Sequence, residues 1–447
     1  MKPGGIPSLS RVPVVGNLYS LLRLGIVGFL TASTERPHKL QRLNLLGKSF
    51  VLINDPALAQ EVLVNLSGKL AQGPILNHFA KKFLGEGLLT AENELHNKRK
   101  KKMIPVFRPA HVRLFRGVID DLVVAEFAKL RAGEIEFNTL LETLNQELVS
   151  KVLFGQGQST GELARDIGYM NKFVLGETLQ PAPLPPWVWT PGRARARKIL
   201  GKIDHTISTI ISSRQAHLAS SQEERKLMID HLLEVFRNDD QTLDAVAIRN
   251  EAMGIYVAGH ETSASALTWI FYTLLKHPAI RDRVTAEARA STEQYETQMP
   301  YTTNLIKEVL RVYPPVYLLS RTVLEDLSLD GRQIRKGEFL MINLIGIHRS
   351  EKVHLGASEL RPERHDDPSD PVNSLPGSYI PFSAGTRSCI GASFALVQML
   401  SVVRHFCQRF DFATDHLPEE RYEALVTMKP KFRVRAKIYP VSPPGTL

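Results

Sequence analysis

The sequence predicts a mainly α-helical domain carrying small β-sheets, and three observations carry that reading. From about Pro56 onward, apolar residues recur at i, i+3, i+4 spacing, most clearly over residues 137–154, 193–215, 278–290 and 302–312. Residues 242–276 contain no proline, so as one helix rising 1.5 Å per residue they reach about 50 Å. Short runs over 316–323, 339–345 and 431–438 read as strands between the helical stretches.

Taken in order, the elements begin with residues 1–35, where Pro3, Gly4, Gly5, Pro7, Pro13 and Gly16 predict an irregular, proline-rich arm. Residues 42–53 read as a hairpin turning at Gly47 and Lys48. The long helix is apolar through Ile255, Tyr256, Val257, Ala258 and Gly259, then polar at His260, Glu261 and Thr262. A helix so long and so apolar runs through the core of a large domain. Residues 181–191 hold five prolines with Trp187 and Trp189 and predict a packed or lid-like loop.

Composition excludes several classes. With 43% hydrophobic and 23% charged residues, the 447-residue chain is neither disordered, nor collagen-like, nor a disulfide framework. The net charge of +10 favours an acidic partner. Only two cysteines occur, Cys389 and Cys407, which fits a reducing compartment. The N-terminus is too polar for a secretory signal, and the apolar stretch 24–30 is far shorter than the ~20 residues of a membrane span. The expectation is a cytoplasmic protein without a transmembrane segment.

Residues 381–392 (PFSAGTRSCIGA) are the most informative. Gly385 and Gly391 shape a loop that brings Cys389 to the start of a helix, where backbone N–H groups and the helix dipole lower a thiol's pKa. Arg387 adds a cation nearby. Such a cysteine suits a metal ligand or a nucleophile, and a buried structural thiol is the plainer alternative.

Phe382-x-x-Gly385-x-Arg387-x-Cys389-x-Gly391 resembles the haem-binding signature of the cytochrome P450 family. The resemblance implies that Cys389 is the axial thiolate of haem b (iron protoporphyrin IX), pushing electron density that favours O–O cleavage. It also implies that Phe382 packs beside the sulfur, that Gly391 lets backbone approach it, and that Arg387 pairs with a haem propionate. Cys407 falls outside the signature and reads as core.

Three other constellations fit the same family. Glu308 and Arg311 share a helix face at i,i+3, and with Arg364 they resemble the Glu–Arg–Arg network, whose role is structural; His365 stands where the family has an aromatic residue. Ala258-Gly259-His260-Glu261-Thr262 resembles the oxygen-activation motif. There Thr262 would order water at the bound oxygen, Glu261 would relay protons, and Gly259 would leave room for a small ligand. His96 and Lys100 fall where the family has propionate contacts, Lys keeping the charge of the usual Arg but not its fork; Arg321 matches a third. The run Lys98, Arg99, Lys100, Lys101, Lys102 is expected to steer an acidic electron donor of ferredoxin or flavodoxin type. It lacks the aromatic interleaving of a nucleic-acid site. The cluster Arg193, Arg195, Arg197, Lys198 reads as a solvated face.

Because these motifs span His96 to Cys389 around one cofactor, residues 1–447 read as a single domain with haem between the long helix and the cysteine loop. The resemblance implies a monomeric monooxygenase that inserts one atom of O2 into an apolar small molecule (terpenoid, fatty acid, steroid or polyketide). Its electrons would come from NAD(P)H through a separate protein. Phe79, Phe83, Ala258, Val316, Leu318 and Leu319 are candidate pocket walls. The alternatives are a peroxide-using peroxygenase, an isomerase, and a non-enzymatic haem carrier or gas sensor.

Overall fold

The computed structural model describes residues 6–8, 16–45, 48–73, 81–155, 160–179, 185, 187–220, 227–238 and 242–441. The fold is mainly helical with small sheets, as predicted. The long helix spans Ala245–Lys276. It starts where the Asp244 side chain accepts the Ala247 N–H at 2.9 Å, an N-cap bond. It ends at His277, where Pro278 opens the next helix, Pro278–Ala290. Nearly every residue from Ser263 to Leu275 is buried, which explains the apolar sequence on all sides.

Aromatic contacts fix this helix in the core. Phe271 stacks on Phe137 of the helix Phe137–Phe154 at 4.3 Å between ring centroids. Trp269 stacks on Tyr313, just beyond the helix Pro300–Val312, at 4.2 Å. Such pairs add about 0.5–1.5 kcal/mol beyond their burial. A second apolar cluster fills the space behind a five-stranded sheet. That sheet runs in the order Leu40–Leu45, Lys48–Ile53, Phe339–Ile342, Leu319–Val323, Leu70–Gln72. The first two strands form the predicted hairpin, with Leu45 opposite Lys48; Lys48 is therefore a strand residue, and Gly47 lies outside the described residues.

The N-terminal arm is corrected. Residues Leu18–Thr34 are helical, broken at Gly25, whose φ of 65° is open to glycine. No proline occurs between Pro13 and Pro37, so the irregular reading carried the proline-rich start too far. Val27, Phe29 and Leu30 bury the helix against the core. In the loop with two tryptophans the packed alternative is corrected: Trp187 and Trp189 are 83% and 66% exposed. Residues 181–184 and 186 lie outside the described residues. Arg193 is not solvated, because it pairs with Glu177 at 2.6 Å. Among the described residues no helix is long and apolar enough to cross a membrane.

Candidate active site

The cysteine loop is held at both ends. Gly385 has φ +70°, and a Cβ there would lie 2.1 Å from the Leu63 carbonyl oxygen, so only glycine lets the loop pass residues 61–65. The Cys389 N–H donates to the Phe382 carbonyl at 2.9 Å, and the helix Ala392–Arg409 begins three residues on. Cys389 is exposed on one side and packed by protein on the other. Burial pushes its thiol up, against the Gly391 amide and the Lys100 ammonium, which pull it down. A Cβ at Gly391 would sit 3.9 Å from both Cys389 Sγ and Phe107, which places this backbone directly beside the sulfur. Phe382 packs against the main core.

The cations beside the sulfur are arranged differently from expectation. Lys100 Nζ donates to the Thr386 carbonyl (2.6 Å), the Ser388 carbonyl (3.3 Å) and Ser388 Oγ (3.1 Å). These bonds make Lys100 a clamp on the cysteine loop. Arg387 pairs through Nη2 with Glu92 at 2.9 Å, while its Nη1 is buried without a partner. Arg321, on strand Leu319–Val323, donates through Nη1 to Gln72 Oε1 at 3.2 Å. Burial and the field of Arg387 bring its guanidinium down to about 10, still charged at neutral pH. His96 is brought down to about 4 by burial and then by Arg387. It is therefore a neutral donor rather than a cation at pH 7.

On the long helix, Thr262 donates its hydroxyl to the Ala258 carbonyl at 2.6 Å, which leaves the oxygen's lone pairs for a donor. Glu261 turns to the hairpin of strands Tyr422–Ala424 and Met428–Pro430, where Thr427 Oγ1 donates to it at 2.8 Å and Lys429 lies at 3.6 Å. A Cβ at Gly259 would meet Val149 Cγ2 at 3.4 Å and Cγ1 at 3.8 Å, ordinary van der Waals contact with the helix Phe137–Phe154. Ala258 is exposed, Val316, Leu318 and Leu319 are half-buried, Phe83 is core, and Phe79 lies outside the described residues.

Glu308, Arg311 and Arg364 form a buried cluster with further members. Arg311 binds Glu308 with both Nε (2.9 Å) and Nη2 (2.8 Å), and Arg364 Nε binds Glu308 at 2.9 Å. Arg364 also reaches Asp370 at 2.9 Å, so two buried arginines meet two carboxylates. His365 donates to Glu308 at 3.1 Å and packs edge-on against Tyr379 at 5.1 Å. The Ile380 N–H donates to His348 Nε2 at 2.9 Å, and the His348 carbonyl accepts from Arg311 at 2.6 Å. The network thus anchors the chain just before Phe382. Of the basic run, Arg99 is drawn inward to Glu251 at 3.0 Å, leaving Lys98, Lys101 and Lys102 exposed.

Sequence reading missed Glu92, Gln72, Asp370 and Thr427, each joined to its partner only by the fold. An open groove between the N-terminal helix and the 422–430 hairpin is lined by none of these active-site residues.

A cysteine held at the start of a helix, with the Arg321 and Arg387 guanidiniums and the neutral His96 imidazole grouped nearby, suits a thiolate-ligated iron porphyrin with its two carboxylates, which defines the class as haem-thiolate. The family model described as Cytochrome P450 matches residues 6–436, and the chain belongs to that family. It is an oxidoreductase of the monooxygenase type, a family that uses haem iron and O2, takes electrons from a redox partner and binds apolar substrates. Protein LUTEIN DEFICIENT 5, chloroplastic, of Arabidopsis thaliana is 28% identical over 83% of this chain and 67% of its own length. An ultra-long-chain fatty acid omega-hydroxylase of Homo sapiens is 27% identical over 82% and 74%. Putative cytochrome P450 137 of Mycobacterium tuberculosis is 26% identical over 87% and 80%. The solved structure of retinoic acid bound cyanobacterial CYP120A1 shares the fold at a TM-score of 0.82 and 23% identity, covering 98% of this chain and 99% of that one.

Proposed function

We propose that the protein hydroxylates or epoxidises an apolar small molecule, with Cys389 as the haem-iron ligand. The observation that carries this reading is Cys389 fixed just ahead of the helix Ala392–Arg409 by the bond from its N–H to the Phe382 carbonyl, with the buried, unpartnered Arg387 Nη1 in the same loop. Bound haem supplies O2 activation and oxygen-atom transfer; the chain supplies position and protons. Arg387, Arg321 and neutral His96 would hold the propionates, and Lys100 would keep the loop in shape. Thr262, its own proton engaged by Ala258, would accept a hydrogen bond from ordered water, and Glu261 would pass protons inward from the side of Lys429.

Within the terpenoid, fatty acid, steroid and polyketide classes, a long apolar chain is the first to test. One relative is named a fatty acid hydroxylase, and the solved neighbour holds retinoic acid. Electrons would come from NAD(P)H through an acidic ferredoxin or flavodoxin-type protein steered to Lys98, Lys101 and Lys102 in the cytoplasm, with the enzyme a monomer.

The reduced carbon-monoxide spectrum tests the ligand: wild type gives the thiolate-type band and Cys389→Ala does not. If Cys389→Ala keeps that band, the assignment is wrong. Product formed with ferredoxin, its reductase and NADPH, but not with peroxide alone, separates the monooxygenase from a peroxygenase.

A further inference from the structure

Glu92 precedes the helix Asn93–Met103 in extended geometry (φ −114°, ψ 157°), yet its side chain makes no cap bond. A carboxylate at a helix N-terminus ordinarily turns to the free amides. Here it is used elsewhere. Oε1 accepts the Gln72 N–H at 2.9 Å and Oε2 accepts Arg387 Nη2 at 2.9 Å. Gln72 in turn offers its Oε1 to Arg321 Nη1 at 3.2 Å. Both arginines of the cluster are therefore tied to one residue of the strand Leu70–Gln72, Arg387 through Glu92 and Arg321 directly.

A guanidinium is planar, so fixing one Nη fixes the other. Arg387 Nη1 is the buried donor left without a partner. We propose that Glu92 is a positioning residue for the cofactor's carboxylates: it fixes the Arg387 guanidinium so that Nη1 is free to donate to a haem propionate, and it sets a permanent negative charge beside the haem. The role rests on the haem reading above. A fixed negative charge favours the more positive ferric state, so Glu92 lowers the ferric/ferrous midpoint potential. Glutamine cannot replace it: the Gln72 N–H and Arg387 meet different carboxylate oxygens, so an amide would turn its NH2 group toward one of the two donors.

The test uses the haem-loaded protein. Glu92→Gln is expected to lose ferric haem to excess apomyoglobin about 3- to 10-fold faster, the scale of one charge-assisted bond, and to show a more positive midpoint by spectroelectrochemistry. Glu92→Asp keeps the charge and is expected to keep the midpoint near wild type, which a purely structural role would not require. Wild-type haem loss in Glu92→Gln overturns the role, as does a Glu92→Asp midpoint raised as far as that of Glu92→Gln. A wild-type chain that takes up no haem sinks the haem reading and this role together, whereas wild-type behaviour of loaded Glu92→Gln sinks the role alone.

Discussion

Thr427, in the hairpin loop between strands Tyr422–Ala424 and Met428–Pro430, donates its hydroxyl to Glu261 of the long helix at 2.8 Å. The acid of the acid–alcohol pair is thereby held from outside the helix, with Lys429 at 3.6 Å on the same oxygen. Thr427→Val removes the hydroxyl at nearly constant shape. We expect unchanged haem content and substrate-induced spectral change, with product per NADPH falling roughly 3- to 10-fold, a fraction of a full acid–base contribution. Coupling equal to wild type would show that Glu261 needs no such support.

Two glycines of the site should respond oppositely to alanine. At Gly385 the added Cβ lies 2.1 Å from Leu63 O at φ +70°, and neither backbone can yield. Gly385→Ala is expected to fold without retaining haem, read as loss of the Soret band. At Gly259 the Cβ meets Val149 Cγ2 at 3.4 Å and Cγ1 at 3.8 Å, and a helical alanine gains about 0.5–1 kcal/mol over glycine. Gly259→Ala is expected to melt at or slightly above the wild-type temperature; a melting point several degrees lower would mean that the packing against Val149 is already at its limit.

What the sequence revealed follows sequence distance. The cysteine loop and the Glu308–Arg311 pair were legible because their partners lie within a turn or two of chain. Glu92 meets Arg387 across 295 positions and Thr427 meets Glu261 across 166, so nothing local marks either as part of the site. Helices and strands were legible from periodicity, except where prolines near the start hid the helix Leu18–Thr34. The direction in which a residue faces was the weakest inference. Arg387 pairs with Glu92 and Lys100 with the cysteine loop; residue types at these positions are read from the sequence, their partners are not.

His354 makes stability depend on pH. It is fully buried, its Nε2 is 3.1 Å from the Ser378 carbonyl, and its Nδ1 has no partner. Burial, then Arg311, brings its imidazole down to about 4 from 6.5. Between those values the unfolded chain binds the extra proton, so stability rises with pH through this window and is lost as pH falls from 6.5 toward 4. At 1.36 kcal/mol per unit the full effect is about 3 kcal/mol. Thermal melts at pH 5 and pH 7.5 should show a smaller drop on acidification for His354→Gln than for wild type. An equal drop would place the acid sensitivity elsewhere.

His365 occupies the family's aromatic position and does two jobs there. Its ring keeps an edge-on contact with Tyr379 at 5.1 Å, and its Nε2 donates to the buried Glu308 at 3.1 Å. Burial alone would raise the Glu308 carboxyl; the bonds from His365 and Arg311 and the fields of both arginines outweigh it and hold the group well below the usual carboxylate range. That stabilisation is present above the unfolded carboxylate pKa and is lost as pH falls below it. His365→Phe keeps the ring and loses the bond, an expected cost of about 1–2 kcal/mol because both arginines still satisfy Glu308. His365→Ala loses the packing as well, about 2–4 kcal/mol. Melting temperatures of the haem-loaded proteins should therefore fall in the order wild type, Phe, Ala. A Phe variant as stable as wild type would mean that the histidine contributes its ring and nothing through its bond to Glu308.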